Sequence, residues 1–136
     1  MRRMVLFALS LISATACNSD IVAPSDLVGE PWRLVALQES PGSPAIIVTD
    51  TTRYELRFQN NGDLAVAVDC NSCTARYSLS GTSLSIGGLS CTLALCAGGD
   101  TMAGKFMKAL QEAQTVSVSG DDMTIHGAGQ TMKFED

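Results

Sequence analysis

The residues best suited to chemistry are four cysteines in two close pairs, Cys70-Asn71-Ser72-Cys73 and Cys91-Thr92-Leu93-Ala94-Leu95-Cys96. Three chemistries suit thiols so placed. Four thiolates bind zinc, and C-x2-C, 17 intervening residues and C-x4-C approach that spacing, although the second pair is wider than the usual x2. A C-x-x-C pair cycles between thiol and disulfide where a helix start lowers a thiol pKa, whereas extended segments flank Cys70 and Cys73 here. Two structural disulfides staple small exported domains. The disulfide reading is adopted, with zinc and redox chemistry as its alternatives. Four cysteines allow three connectivities. Local pairs close small loops, while cross pairs close loops of about twenty residues, each worth roughly 3 kcal/mol in the chain-entropy picture. The expected pairs are therefore Cys70–Cys96 and Cys73–Cys91, which tie a strand-end loop to the loop before a helix.

Other reactive types are sparse. His126 is the single histidine, so it has no second imidazole for a metal site, and it reads as a rim residue before a glycine turn. No Gly-x-Ser-x-Gly elbow, phosphate loop or dinucleotide fingerprint occurs. Asn60-Asn61-Gly62-Asp63 and Asp121-Asp122 lack the twelve-residue calcium-loop spacing and read as turns. Asn71 reads first as a residue bonding its own loop backbone, and Trp32 as a core anchor. Both are kept as possible binding residues. No catalytic residue, metal site or cofactor is expected.

The elements that must position these residues follow from periodicity. Trp32, Leu34 and Ala36 alternate with Arg33 and Val35, as do Tyr54, Leu56 and Phe58 with Arg53, Glu55 and Arg57. Both patterns predict half-buried strands. Residues 39 to 52 read as a loop with a short extended piece at Ile46 to Val48. Asn60 to Asp63 turns the chain into a strand carrying Leu64, Val66 and Val68. Arg76 to Leu79, Ser80-Gly81-Thr82 and Leu84 to Ile86 form a second hairpin. Gly87 to Gly99 reads as a loop. Asp100 is the expected cap of one amphipathic helix carrying Met102, Phe106, Ala109, Leu110 and Ala113. Strands at Thr115 to Val118, Met123 to His126 and Thr131 to Phe134 close the chain. The fold class is α+β: a strongly bent antiparallel sheet or partial barrel of about eight short strands, with one helix.

The start of the chain is an address. Met1-Arg2-Arg3 is basic, and Val5 to Ala16 carries no charge, which matches a secretory signal over residues 1–16 and is too short to span a membrane. Ala14-Thr15-Ala16-Cys17 resembles a bacterial lipobox, with Ala14 where such boxes usually carry Leu. Parity agrees, because setting Cys17 aside leaves four cysteines that can pair fully. Cys17 is the expected lipidation site, and residues 17–26 the tether of a domain over 27–136. Asn18, rather than Asp, permits sorting to an outer membrane if the cell has one. Nine basic and 14 acidic residues give a net charge of −5. That balance excludes a basic nucleic-acid footprint, and 5% aromatics argues against a stacking platform for single strands.

Trp32-Arg33-Leu34, Leu56-Arg57-Phe58 with Asn61-Gly62, Cys70-Asn71, the hairpin from Tyr77 to Ile86, Cys91 to Cys96, a helix with Phe106 and Leu110, and a terminal hairpin stand in one order. The series, over about residues 27 to 135, resembles the META/HslJ-like domain of bacterial envelope lipoproteins and heat-inducible proteins. Asp69 and Ala75 stand where that family usually has Gly, and Cys73 with Cys91 is an added pair. The resemblance implies an envelope domain linked to stress or antibiotic tolerance, without established enzyme activity. The expected partners are a membrane, through the N-terminal lipid, and an envelope protein or small ligand. The alternatives are a secreted inhibitor or ligand-binding barrel, and a thiol-disulfide oxidoreductase using Cys70 and Cys73.

Overall fold

The computed structural model describes residues 21–98 and 101–136. Nine strands run in chain order: β1 (Trp32–Gln38), β2 (Ile46–Ile47), β3 (Tyr54–Phe58), β4 (Asp63–Val68), β5 (Asn71–Ser80), β6 (Ser83–Cys91), β7 (Thr115–Ser119), β8 (Asp122–His126) and β9 (Thr131–Glu135). A one-turn helix, α1 (Pro24–Leu27), precedes them, and α2 (Met102–Gln111) lies between β6 and β7. The pairings are antiparallel throughout, in the order β2-β1-β3-β4-β5-β6-β7-β8-β9, and β1 also pairs with β9. The bent sheet thereby closes into a ring.

Alternation builds the interior. β3 buries Tyr54, Leu56 and Phe58, and β4 buries Leu64, Val66 and Val68 at facing register. In β1 the alternation changes phase. A register shift against β9 between Leu34 and Ala36 turns Leu37 inward, so Leu37 is buried where Ala36 was expected. Phe106 of α2 is fully buried, edge-on to Tyr54 at 5.6 Å and tilted against Phe134 at 6.3 Å. Helix and strand side chains together fill the space inside the ring.

Four local expectations change. The domain begins before residue 27: Val22 is buried, α1 occupies part of the expected tether, and the indole N–H of Trp32 donates to the Leu27 carbonyl at 2.9 Å. β5 begins at Asn71 rather than Arg76, and β6 runs through Gly87 to Cys91 where a loop was expected. The reason for the second is a bulge. The β5–β6 register shifts between Thr74 and Arg76, and Gly88 takes φ +66°, which glycine adopts freely. The two-residue β2 raises the strand count to nine. Asp100, the expected helix cap, and Cys17 lie outside the described residues.

Two measurements check this packing. Gly104 sits inside α2, and a Cβ there would meet nothing within 4 Å. Gly104→Ala should therefore stabilise the domain by about 0.5–1 kcal/mol in urea unfolding. Tyr77 packs edge-on to Phe58 at 4.9 Å, and its hydroxyl donates to the Gln59 carbonyl. Burial raises the phenol above its ordinary 10.0. The native state thus keeps a proton that the unfolded chain releases. Stability should hold below pH 10 and fall above it, and Tyr77→Phe should flatten that fall.

Candidate functional site: a doubly stapled rim loop

Cys70 pairs with Cys96 and Cys73 with Cys91, with Cα–Cα separations of 5.5 and 4.0 Å. The two bridges sit differently. Cys73 and Cys91 face each other directly across the β5–β6 ladder, and Cys73 is 3% exposed. Its short Cα separation suits a cross-strand pair. Cys70 lies at the exposed β4–β5 turn and reaches over to the loop that leaves β6. With all four sulfurs bonded in pairs, no thiolate of this set is left for zinc.

The turn before Cys70 is set by Asp69. Its φ is +58°, a left-handed conformation that Asp tolerates better than most residues. Its N–H donates to the Arg53 carbonyl at 2.8 Å. Its carboxylate, 4% exposed, pairs with the Arg53 guanidinium. A short polar side chain accepts the left-handed backbone at Asp69, and an ion pair with Arg53 holds it there.

Asn71 then grips the loop. Its Oδ1 accepts from the Ala94 N–H at 2.8 Å and from the Thr92 hydroxyl at 2.8 Å. Its Nδ2 donates to the Ala94 carbonyl at 3.1 Å. The side-chain amide thus bonds both backbone groups of one residue, as a neighbouring strand would. The Thr92 hydroxyl also accepts from Ser72 N–H at 3.1 Å, and Thr92 N–H donates to the Ser72 carbonyl at 3.0 Å. The Cys70 N–H points at Cys96 Sγ, 3.1 Å away. The four residues between Cys91 and Cys96 are therefore fastened at both ends by disulfides and in the middle by one amide.

The loop presents leucines. Leu93 is 95% exposed and Leu95 is fully exposed. They flank Ala94, the residue that Asn71 holds. Large apolar side chains are most often found in cores, whereas these two stand in solvent on a braced loop. A small cleft of about 150 Å³, lined by Ile46, Ile47, Val48, Arg53, Tyr54 and Met102, lies beside the Arg53–Asp69 pair.

The residues singled out from sequence do not converge. Asn71 is at the rim loop and its amide serves that loop. Trp32 is 3% exposed with its N–H bonded to Leu27, so it has no free face for ligand stacking. His126 is exposed at the end of β8, with Nδ1 3.2 Å from the Thr131 hydroxyl. Asp63 and Asn61 bond one another and form a turn. Among the described residues, no group of three or more His, Cys, Asp or Glu is placed to hold a metal. Leu93 and Leu95 were missed. Their signal was Leu-Ala-Leu between two cysteines, apolar positions outside the alternation of any strand.

Removing the amide tests the grip. Asn71→Ala should cost about 1–3 kcal/mol in urea unfolding of the oxidised protein, the usual loss when bonded groups are left unmatched. Asn71→Asp keeps the acceptor but not the donor, and should lose less.

Comparison with known proteins places this geometry. No curated protein matches the chain. The fold is shared with an NMR structure of a protein from Burkholderia xenovorans, at TM-score 0.67 and 20% identity over 98% of this chain and 97% of that one. It is also shared with a DUF4847 family protein from Bacteroides vulgatus (TM-score 0.63, 10% identity, 80% and 93% covered). A lipocalin-like protein from Bacteroides uniformis matches at TM-score 0.55 and 18% identity, with 82% and 98% covered. The META domain profile matches residues 25–136, from α1 through the last strand, and the chain belongs to the META domain family.

Proposed function

We propose that the chain is a non-enzymatic binding module of the bacterial cell envelope, exported by its N-terminal signal and held to a membrane by lipid on Cys17. Its partner is an envelope protein or a small ligand. The observation that carries this reading is the cysteine pairing. Cys70, Cys73, Cys91 and Cys96 bond among themselves, which sets Cys17, the fifth cysteine and directly after Ala14-Thr15-Ala16, apart from both bridges. A reactive thiol at a mature N-terminus is the group that lipid attachment uses. Two disulfides in a small domain also fit an oxidising compartment.

Charge supports the same arrangement. Cleavage before Cys17 removes Arg2 and Arg3 and leaves 7 of the 9 basic residues against 14 acidic ones, a net −7. So acidic a domain is repelled by an anionic lipid surface. Membrane attachment falls to the acyl chains, and more than one chain is needed for stable anchoring. A binding role fits the packing as well. Side chains fill the ring, which leaves the rim and the outer faces for contact. Stress or antibiotic tolerance is the setting that the family resemblance implies.

The intact mass of the native, unreduced protein tests the proposal. The expected species starts at Cys17, carries added acyl mass and lacks two hydrogens for each of two disulfides. An unacylated chain recovered from detergent-free culture supernatant contradicts it and points instead to a secreted binder.

A further inference from the structure

We infer that the loop of residues 92–96 is a docking knuckle for a second protein, one whose surface offers an apolar groove with a neutral or basic rim, and that Leu93 and Leu95 are its anchors. The inference rests on the envelope-module reading and adds to it the surface and the class of partner.

Three observations carry it. The first is exposure on a rigid support. Both leucines stand almost wholly in solvent while the backbone between them is bonded to Asn71 and bracketed by two disulfides. A loop ordered before contact loses little freedom on binding, so its apolar surface converts efficiently into affinity.

The second observation is position, which separates a protein groove from the anchoring bilayer. β6 and β7 pair only at Ser83 and Thr115. Being antiparallel, they leave that point in opposite directions, β6 over roughly 26 Å to Cys91 and β7 over about 13 Å to Ser119, at about 3.3 Å per residue. Ile21 and Val22 border a cleft with Asp26 and Ser117 to Ser119. The chain therefore enters the ring near the end of β7, and the knuckle stands beyond the end of β6. Cys17 precedes Ile21 by four residues, a reach of at most about 14 Å. A lipid on Cys17 holds the entry end at the membrane and points the knuckle away from it.

The third is charge. The whole chain carries −5, and more once Arg2 and Arg3 are removed. Like-charged copies repel each other, and anionic lipid repels both, so a second copy and a bilayer are poorer occupants than a neutral or basic protein surface.

Site-specific photo-crosslinking in cells expressing the full chain tests this. A photoreactive residue is placed at Leu93, Leu95 or exposed Ala97, with Gly81, in the β5–β6 turn at the other end, as control. Membrane fractionation is done on the same cells. The expected result is one discrete protein adduct from positions 93, 95 and 97 and none from 81. The adduct from 97 should fall at least tenfold when Leu93→Asp and Leu95→Asp are combined, with both disulfides and the thermal midpoint retained. Adducts to lipid, to a second copy, or equally from position 81 overturn the inference, as does no adduct at all. A chain found in the soluble fraction defeats the lipid anchor instead, and the adducts still decide the knuckle.

Discussion

Closure of the ring through the pairing of β1 with β9 is the constraint on which the rest of the structure depends. β1 holds β9 along one edge and β3 and β2 along the other, so the first and last long strands of the domain are neighbours. A sheet closed in this way hides most of its hydrogen-bonding edges, the exception being β6 beyond Ser83, its one position paired with β7. It also obliges every inward side chain to pack. Phe58, Leu56 and Leu64 from the strands share one core with Phe106 and Leu110 from α2, all nearly or wholly out of solvent. A ring this well filled moves recognition to its rim.

At the rim, different forces take over from apolar burial. Residues 91–98 leave the sheet with few buried side chains of their own, and covalent bonds do what packing does elsewhere. The inner bridge, Cys73–Cys91, extends the ladder by one covalent pair, and the outer bridge, Cys70–Cys96, returns the loop to the β4–β5 turn. Asp69 shapes that turn through its left-handed backbone and its pairing with Arg53. Asn71 then supplies the hydrogen bonds that a missing neighbour strand would have made. The outcome is an apolar surface kept in place without a core beneath it.

Much of the ring was legible in the sequence because alternation and turn residues agree. Tyr54, Leu56 and Phe58 face inward as their spacing requires, and Asn61-Gly62 turns the chain where Gly62 takes φ +86°. The helix over Met102 to Gln111 follows from the spacing of Met102, Phe106 and Leu110. What escaped had physical causes. Gly87-Gly88 breaks the alternation of β6, yet the bulge they form lets the strand continue to Cys91. The phase change in β1 comes from its register with β9, a long-range pairing that Leu34 and Ala36 do not announce. Val22 is buried by elements far along the chain. Leu93 and Leu95 resemble buried positions by type and spacing, and only the closed ring shows that they stand uncovered among the described residues. Asn71 was expected to bond its own loop backbone; its amide instead bonds Thr92 and Ala94, more than twenty residues on, which the disulfides bring beside it.

The central claim is that one side-chain amide and two disulfides make an exposed loop rigid. Hydrogen exchange at the Ala94 amide tests it most directly, since that N–H lies in an exposed residue and is bonded to Asn71 Oδ1. The account predicts exchange far slower than in an unstructured peptide of the same sequence, with protection lost in Asn71→Ala. Exchange at the peptide rate in the native, oxidised protein would contradict it.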